Sequence, residues 1–166
     1  TDLADNFRAL VAALIASEVA GKPQHELILE LGATPDILLR HGFRPLPLVL
    51  KGKTVSKMHF DHGMVRGLIE RLPELIASPK AIYRSTTSGA VVVTFEVKGA
   101  AGYPIIIAVH ADKQVGRDKV VNEVASMYAK EGSNPETRWK AQGLLIWESQ
   151  TTEGKKAPQN DTTFRL

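Results

Sequence analysis

Residues 56–64, with the sequence SKMHFDHGM, concentrate side chains suited to proton transfer. His59 and His62 lie three residues apart, Lys57 precedes them and Asp61 lies between them. Histidine is the side chain that exchanges a proton most readily near neutral pH. The segment therefore admits three interpretations: a metal site, an acid–base catalytic cluster, or the polar start of an ordinary helix.

The metal interpretation lacks ligands. Zinc needs three or four protein ligands, and helical zinc motifs usually place histidines four residues apart. His59, Asp61 and His62 are too close to match that spacing, His110 lies on a distant segment, and the chain has no cysteine. We therefore expect no metal and no other cofactor, and we keep a metal-assisted hydrolase as an alternative.

The acid–base interpretation fits RNA cleavage without a metal. That reaction needs a base for the 2′-hydroxyl, an acid for the leaving 5′-oxygen, and cations or donors around the phosphate. The chain offers suitable residue types on several segments: Lys57, His59, His62, Arg84, Ser85, His110, Asn122, Ser126 and Tyr128. Whether they converge depends on the fold.

Composition permits a globular domain with a real core. The chain has 166 residues, of which 43% are hydrophobic and 23% charged, and no cysteine for thiol chemistry or disulfides. The net charge is +3, and the basic excess lies in residues 54–147. This permits a phosphate-bearing partner. No apolar run reaches the ~18 residues of a membrane span, so we expect no membrane association.

The N-terminal third reads mainly as helix. Apolar spacing predicts a helix over 5–20, which Gly21 and Pro23 end. In the segment TPDILLRHG, Thr34 is the expected N-cap of a short helix, with Pro35 at its first position. A short strand over 48–50 leads into the histidine segment.

The rest of the chain predicts strands with one inserted helix. After a helical segment over 64–78, a turn and a first strand are expected within 78–85, further strands over 89–99, 103–112 and 144–149, and a helix over 133–143. Residues 119–132 suit either a strand or a short helix. The fold class is therefore α+β: N-terminal helices followed by an antiparallel β-sheet meander with one inserted helix. We divide the chain into a helical lead-in (1–53), an α+β domain (54–149) and a flexible polar tail (150–166).

The ordered set of motifs in residues 55–147 resembles a known group. A histidine-bearing helix start is followed by LPE at 72–74, Pro79, two apolar strands of which the second reads PIIIAV, then NEVASMY at 122–128 and a final Trp139 with GLL at 143–145. This pattern resembles the nuclease domains at the C-termini of Mu-like phage head-morphogenesis proteins and of bacterial polymorphic toxins. That group is classed with the barnase, EndoU, colicin and RelE-like ribonucleases.

The resemblance implies a metal-independent endoribonuclease that acts as a toxin or effector on RNA, with tRNA as a candidate substrate. Catalysis would fall to His59 or His62 with Arg84, Ser126 and Tyr128, and substrate binding to Lys57, Ser85, His110 and Asn122. It would act in the cytoplasm, either of its own cell or of a target cell into which it is delivered. A cognate immunity protein would be its partner. The alternative is a non-catalytic RNA- or protein-binding module on the same scaffold.

Overall fold

Seven strands form one sheet in the computed structural model, which describes residues 2–150. The helices are α1 (Asp2–Val19), α2 (Asp36–Leu39), α3 (Gly52–Ser56), α4 (Arg66–Glu70), α5 (Leu72–Ala77) and α6 (Pro135–Ala141). The strands are β1 (Ile28–Ala33), β2 (Pro47–Lys51), β3 (Ala81–Arg84), β4 (Ala90–Lys98), β5 (Tyr103–Val115), β6 (Lys119–Ala129) and β7 (Leu145–Glu148). A π-helical turn, Lys57–Asp61, follows α3 directly, and we call it the π-turn.

The sheet has the order β1-β2-β6-β5-β4-β3-β7. Every neighbouring pair is antiparallel except β2 and β6, which run parallel with Leu48 opposite Asn122. Strands β3 to β6 form the predicted meander, and α6 is inserted between β6 and β7. The α+β fold class is confirmed.

Residues 1–53 contribute strands as well as helix. The helix predicted over 5–20 is α1, but the apolar run after it is β1, which pairs with β2. Leu29 and Leu31 point into the core at a two-residue period, and a bulge between Glu30 and Gly32 interrupts the ladder. The lead-in is thus not only helical, because its two strands extend the same sheet.

The predicted cap of α2 is wrong. Pro35 occupies the N-cap position, and the hydroxyl of Thr34 donates instead to the carbonyl of Leu46. Thr34 is buried, so its hydroxyl satisfies a backbone acceptor in the loop before β2 rather than the helix start. The break between α4 and α5 lies at Arg71, and Pro73 sits in the first turn of α5, where its missing N–H costs nothing.

Most of residues 119–132, left open between strand and helix, form β6. Its valines suit a strand, and it lies inside the sheet between β2 and β5. The main core lies between one sheet face and the helices, where α1 inserts Phe7, Val11 and Leu14.

A smaller cluster lies under α6 on the other sheet face. Trp139 packs on the ring of Tyr83, with 5.2 Å between ring centroids. The Tyr83 hydroxyl donates to Glu136 Oε1 at 2.7 Å, and Lys80 Nζ donates to Glu136 Oε2 at 3.1 Å. Asn134 caps the helix by accepting from the N–H of Glu136 at 2.8 Å. These contacts fix α6 to β3.

The predicted flexible tail lies almost wholly outside the described residues, which end at 150. Within residues 2–150, no helix has both the length and the apolar character that a membrane span requires.

Candidate active site

The π-turn presents both histidines of the opening segment. Its wide backbone is closed by the hydrogen bond from the N–H of His62 to the carbonyl of Lys57, at 2.9 Å. Met58 and Met64 anchor the turn because both side chains are buried, and the N–H of Met64 donates to the carbonyl of Met58 at 2.9 Å. Isolated π-turns occur often at functional sites. The two methionines thus hold the intervening polar residues at the surface.

His59 is held inside the turn. Its Nδ1 lies 2.8 Å from the carbonyl oxygen of Met64, and its ring meets Phe60 edge-on at 4.8 Å between centroids. A carbonyl oxygen only accepts, so Nδ1 carries the proton and donates. Only Nε2 is therefore left for a substrate. The ring is half-buried.

His62 is exposed and faces Tyr128 of β6. The two ring centroids are 5.9 Å apart, with the planes tilted by 47°. Burial raises the pKa of Tyr128, so its hydroxyl stays protonated at neutral pH and acts as a donor. That hydroxyl makes no hydrogen bond with any residue from 2 to 150. The two rings are therefore neighbours, and neither ring nitrogen of His62 nor the Tyr128 hydroxyl has a hydrogen-bond partner among the described residues.

Both side chains line a cavity of about 350 Å³, which we call the π-turn cavity. Lys98, the last residue of β4, contributes its ammonium, which lies 3.4 Å from the carbonyl oxygen of His62. The cavity is lined by Phe60, Asp61, His62, Gly63, Lys98, Tyr128, Ala129 and Glu131. It brings together residues from the π-turn, β4 and β6, as a catalytic site requires.

Gly63 shapes the junction between the π-turn and Lys98. Its φ is +68°, a left-handed conformation that other residues adopt only with strain. A Cβ at this position would lie 2.8 Å from Lys98 Nζ. Its backbone N–H has no acceptor among the described residues. The cavity thus offers three kinds of donor to an anion: an ammonium, a hydroxyl and a backbone amide.

Two carboxylates also line the cavity. Asp61 and Glu131 are both exposed and oppose the positive charge of Lys98. A phosphate is therefore favoured only at the Lys98 and Gly63 side. Lys57, the predicted substrate-binding lysine, begins the π-turn and is exposed outside the cavity lining.

Three predicted residues, Arg84, Ser85 and His110, lie at the opposite end of the sheet, and we call them the far group. Ile106 pairs with Tyr128, whereas His110 pairs with Glu123, so four residues of β5 separate the two ends. At the usual rise per strand residue this is roughly 13 Å. Arg84 ends β3 at that far end and is exposed, with a long contact of 3.4 Å to the carbonyl of Gly143. His110 and Arg84 thus do not reach the π-turn cavity.

Ser85 and Ser126 have different surroundings. The hydroxyl of Ser85 accepts from the N–H groups of Thr87 and Ser88, at 3.1 and 3.3 Å, and so shapes the turn between β3 and β4. Ser126 is half-buried on β6 and shares a sheet face with Tyr128, because alternate strand residues point the same way. Ser126 lies between the π-turn cavity and the far group.

Asn122 is a structural residue in this fold. It is fully buried, and its Nδ2 donates to Thr34 Oγ1 at 2.8 Å and to the carbonyl of Arg44 at 3.0 Å. Its Oδ1 accepts from the N–H of Asp112 at 3.1 Å. With its amide fully engaged, Asn122 has nothing left for a substrate, which corrects its predicted substrate-binding role.

Metal ligands do not converge in the described part of the chain. Across residues 2–150, no group of three or more His, Asp or Glu side chains is placed to hold an ion. His59, Asp61 and His62, the ligands of the metal-assisted alternative, therefore do not form a ligand set. The π-turn directs the ring of His59 to Met64 and that of His62 to Tyr128.

Lys98 is the site residue that the sequence did not indicate. It is the first residue of the hairpin segment KGAAGYP, where a lysine is an ordinary polar residue. Only the antiparallel pairing of β4, β5 and β6 brings this strand end beside the π-turn. No local pattern carries that information.

Comparison with known families matches residues 53–154 to the family described as the phage MuF C-terminal domain. The match begins at α3 and extends past β7, so it includes the π-turn and the whole π-turn cavity. It covers more than half of the 166 residues. Neither the search of curated proteins nor the search of solved structures gave a match.

Proposed function

The chain belongs to the phage MuF C-terminal domain family, and from that premise we propose that it is a metal-independent endoribonuclease with its active site in the π-turn cavity. One observation carries the proposal: the exposed ring of His62 lies 5.9 Å from the ring of Tyr128, centroid to centroid, and Lys98 lines the same cavity. A base, a neutral donor and a cation are the groups that phosphodiester transfer requires.

The chemistry follows from these roles. His62 removes the proton of a ribose 2′-hydroxyl, and the 2′-oxygen attacks the adjacent phosphorus. The bond from phosphorus to the 5′-oxygen breaks, and that oxygen takes a proton from the Lys98 ammonium. Afterwards His62 releases its proton to water and Lys98 takes one up from water, which restores both groups. The products are a 2′,3′-cyclic phosphate and a 5′-hydroxyl.

Donors stabilise the charge that develops on the phosphorane. The Tyr128 hydroxyl stays protonated because burial raises its pKa, so it donates to a non-bridging oxygen. The backbone N–H of Gly63 has no acceptor within residues 2–150 and is available to a second one. His59 acts as a positioning residue, since its ring holds the turn through Met64.

The far group extends the proposed interface. Arg84, His110 and Lys57 lie outside the cavity, and Arg84 and His110 are roughly 13 Å away along the sheet. We assign them to contacts with flanking parts of an RNA such as tRNA. An immunity protein would then neutralise the domain by covering the π-turn cavity, in the cytoplasm of the producing or the target cell.

The competing function is a binding module without turnover. The carboxylates of Asp61 and Glu131 favour it, because they oppose an anionic ligand inside the same cavity. Under that function RNA or a protein binds the surface and is released unchanged. Only cleavage of RNA therefore distinguishes the ribonuclease from the binding module.

The test is incubation of the purified chain with total tRNA in EDTA. We expect discrete fragments, and we expect His62→Ala to slow their formation by at least about 100-fold, the usual contribution of a positioned acid–base group. His41→Ala, just after α2 and outside the cavity, is the matched control and should cleave normally. Equal cleavage by His62→Ala contradicts the assignment, and binding without fragments supports the module.

A further inference from the structure

A second cavity of about 480 Å³ adjoins the π-turn cavity. We call it the lateral groove; it shares Gly63 and Lys98 with the π-turn cavity. Its further lining includes Val65, Leu68, Arg71, Glu96, Val97 and Ile105. The volume falls within the range of about 300–1,000 Å³ that small-molecule sites occupy. A ligand in the π-turn cavity can therefore extend into it without leaving the protein surface.

Apolar surface is unusually exposed at this groove. Val65 is 66% exposed and Val97 is 57% exposed, and within residues 2–150 only Val19 is a more exposed large hydrophobic side chain. Ile105, in contrast, is buried and forms part of the groove floor. Exposed apolar residues that cluster at a cleft indicate a contact surface rather than scattered surface side chains.

One edge of the groove is polar. Arg71 donates from Nη2 to Glu96 Oε2 at 3.1 Å, which fixes the carboxylate. Glu96 lies in an irregular part of β4, where the hydroxyl of Thr94 accepts from the N–H of Glu96 at 3.0 Å. The second carboxylate oxygen of Glu96 has no partner among the described residues. The groove thus pairs a free acceptor with a guanidinium.

We propose that the lateral groove binds the guanine base next to the phosphate that is cleaved. Guanine has N–H donors on one edge and the acceptors O6 and N7 on another, which match a carboxylate and an arginine respectively. Proteins read single-stranded RNA by packing the faces of unstacked bases and bonding their edges. Val65 and Val97 supply the packing, and Glu96 with Arg71 supplies the edge contacts.

This inference rests on the proposed ribonuclease function for the position of the phosphate. Lys98 and Gly63, which the two cavities share, would contact the phosphate, and the attached nucleoside then lies over the groove. Other bases fit the donor and acceptor pattern less well: adenine lacks O6 and has no N1–H, and the pyrimidines lack N7. The enzyme would therefore cut preferentially beside guanosine.

The test uses nucleotide binding so that it does not depend on turnover. The full-length His62→Ala chain is titrated calorimetrically with 5′-GMP, 5′-AMP, 5′-CMP and 5′-UMP at low salt. We expect a Kd for GMP about tenfold below those of the others. Val97→Asp and Glu96→Gln, made in the same background, should each raise the Kd for GMP at least about fivefold. Val19→Asp, the same change at a still more exposed valine on α1, should leave it unchanged.

Three results overturn the inference: no nucleotide binding, equal binding of all four nucleotides, or GMP binding that neither Val97→Asp nor Glu96→Gln weakens. The readout also separates the two proposals. If His62→Ala binds GMP selectively while the wild-type chain cleaves no RNA, the groove is supported and the ribonuclease is contradicted. Cleavage with no preference for guanosine contradicts the groove alone.

Discussion

His59 and His62 differ in what their rings are free to do. His59 uses Nδ1 to donate to Met64, whereas the ring of His62 makes no hydrogen bond within the described residues and faces Tyr128. The π-turn therefore gives His59 a structural contact and leaves His62 exposed to solvent, although the two are only three residues apart. We therefore propose that, of the two histidines, only His62 transfers a proton.

Substitution of His59 tests that division. His59→Asn keeps a side-chain N–H for the carbonyl of Met64, whereas His59→Ala loses it at a cost of about 1 kcal/mol in the free energy of unfolding. We expect the asparagine variant to keep most of the cleavage rate and the alanine variant to lose about tenfold. If His59→Asn is as inactive as His62→Ala, His59 takes part in proton transfer.

Tyr83 makes stability sensitive to alkaline pH. Burial raises its pKa, and the hydrogen bond to Glu136 raises it further. Because the pKa of Tyr83 is higher in the folded than in the unfolded protein, its contribution to stability is fully present below the unfolded pKa of about 10. The contribution is lost as the pH rises above that value. The hydrogen bond from the neutral Tyr83 hydroxyl to Glu136 is thus an alkali-sensitive contact under α6.

Tyr83→Phe should reduce that sensitivity. At pH 8 the variant should be less stable than the wild type by about 1–2 kcal/mol, because Glu136 loses a donor. Between pH 8 and pH 11 the wild type should lose more stability than the variant, as measured by urea denaturation. Parallel losses in both proteins would show that another group causes the alkaline sensitivity.

The sequence identified the residue types at the site but not their partners. The histidine segment stands out because titratable residues cluster there. Tyr128 stands out because it ends NEVASMY, a segment in which polar and apolar residues are mixed. Asn122 looked equally suitable, yet the fold uses its whole amide internally. Residue type alone does not reveal whether a polar group is engaged, because its partners come from distant segments.

At the scale of elements, the π-turn depends on Gly63. The left-handed φ of this residue turns the chain from the histidines to Met64, and the absence of a Cβ leaves room for Lys98. Gly102 has a similar φ of +71°, but nothing lies near its missing Cβ. Gly63 and Gly102 thus both need a left-handed backbone conformation, but only at Gly63 would an added Cβ meet another side chain.

Gly63→Ala should therefore harm activity more than Gly102→Ala. Each change costs about 1–2 kcal/mol of stability through the left-handed backbone, and thermal unfolding should show similar losses. Only Gly63→Ala displaces the Lys98 ammonium, so the cleavage rate should fall about tenfold or more in that variant alone. Equal rates in the two variants would remove Lys98 from the proposed site.

Asn122 joins β6 to three other segments: Thr34 before α2, Arg44 in the loop before β2, and Asp112 of β5. Its side chain is buried, and Asn122→Ala leaves these three residues without their hydrogen-bond partner. We expect a loss of about 2–4 kcal/mol in the free energy of unfolding. Ser126→Ala, on the same strand, should cost less than about 1 kcal/mol. A stable but inactive Asn122→Ala would restore the substrate-binding role.

Elements were predictable where the local pattern was regular. The hairpin of β4 and β5 shows in its β-branched runs and glycine turn, and α6 shows in Pro135 near its start and Gly143 after its end. The strand β1 was missed because a bulge interrupts a short ladder. Residues 119–132 stayed open because only pairing on both sides makes most of them a strand.

At the scale of the whole molecule, the sheet assembles the site from distant parts of the chain. The π-turn, Lys98 and Tyr128 are separated by at least 30 residues in sequence and meet through the order β6-β5-β4. Such long-range pairing has no signature in any local window. The same sheet keeps Arg84 and His110 away from the cavity, so the fold selects one candidate site among the residues that the sequence offered.

The chemical nature of the cut ends tests the central claim most directly. A defined tRNA is cleaved in EDTA, and the fragments are analysed by mass spectrometry, beside a substrate that carries a single 2′-deoxy residue at the cleavage position. The account predicts 2′,3′-cyclic phosphate and 5′-hydroxyl ends, and no cleavage at the 2′-deoxy position. Fragments with 3′-hydroxyl and 5′-phosphate ends, or equal cleavage of the 2′-deoxy substrate, would contradict it.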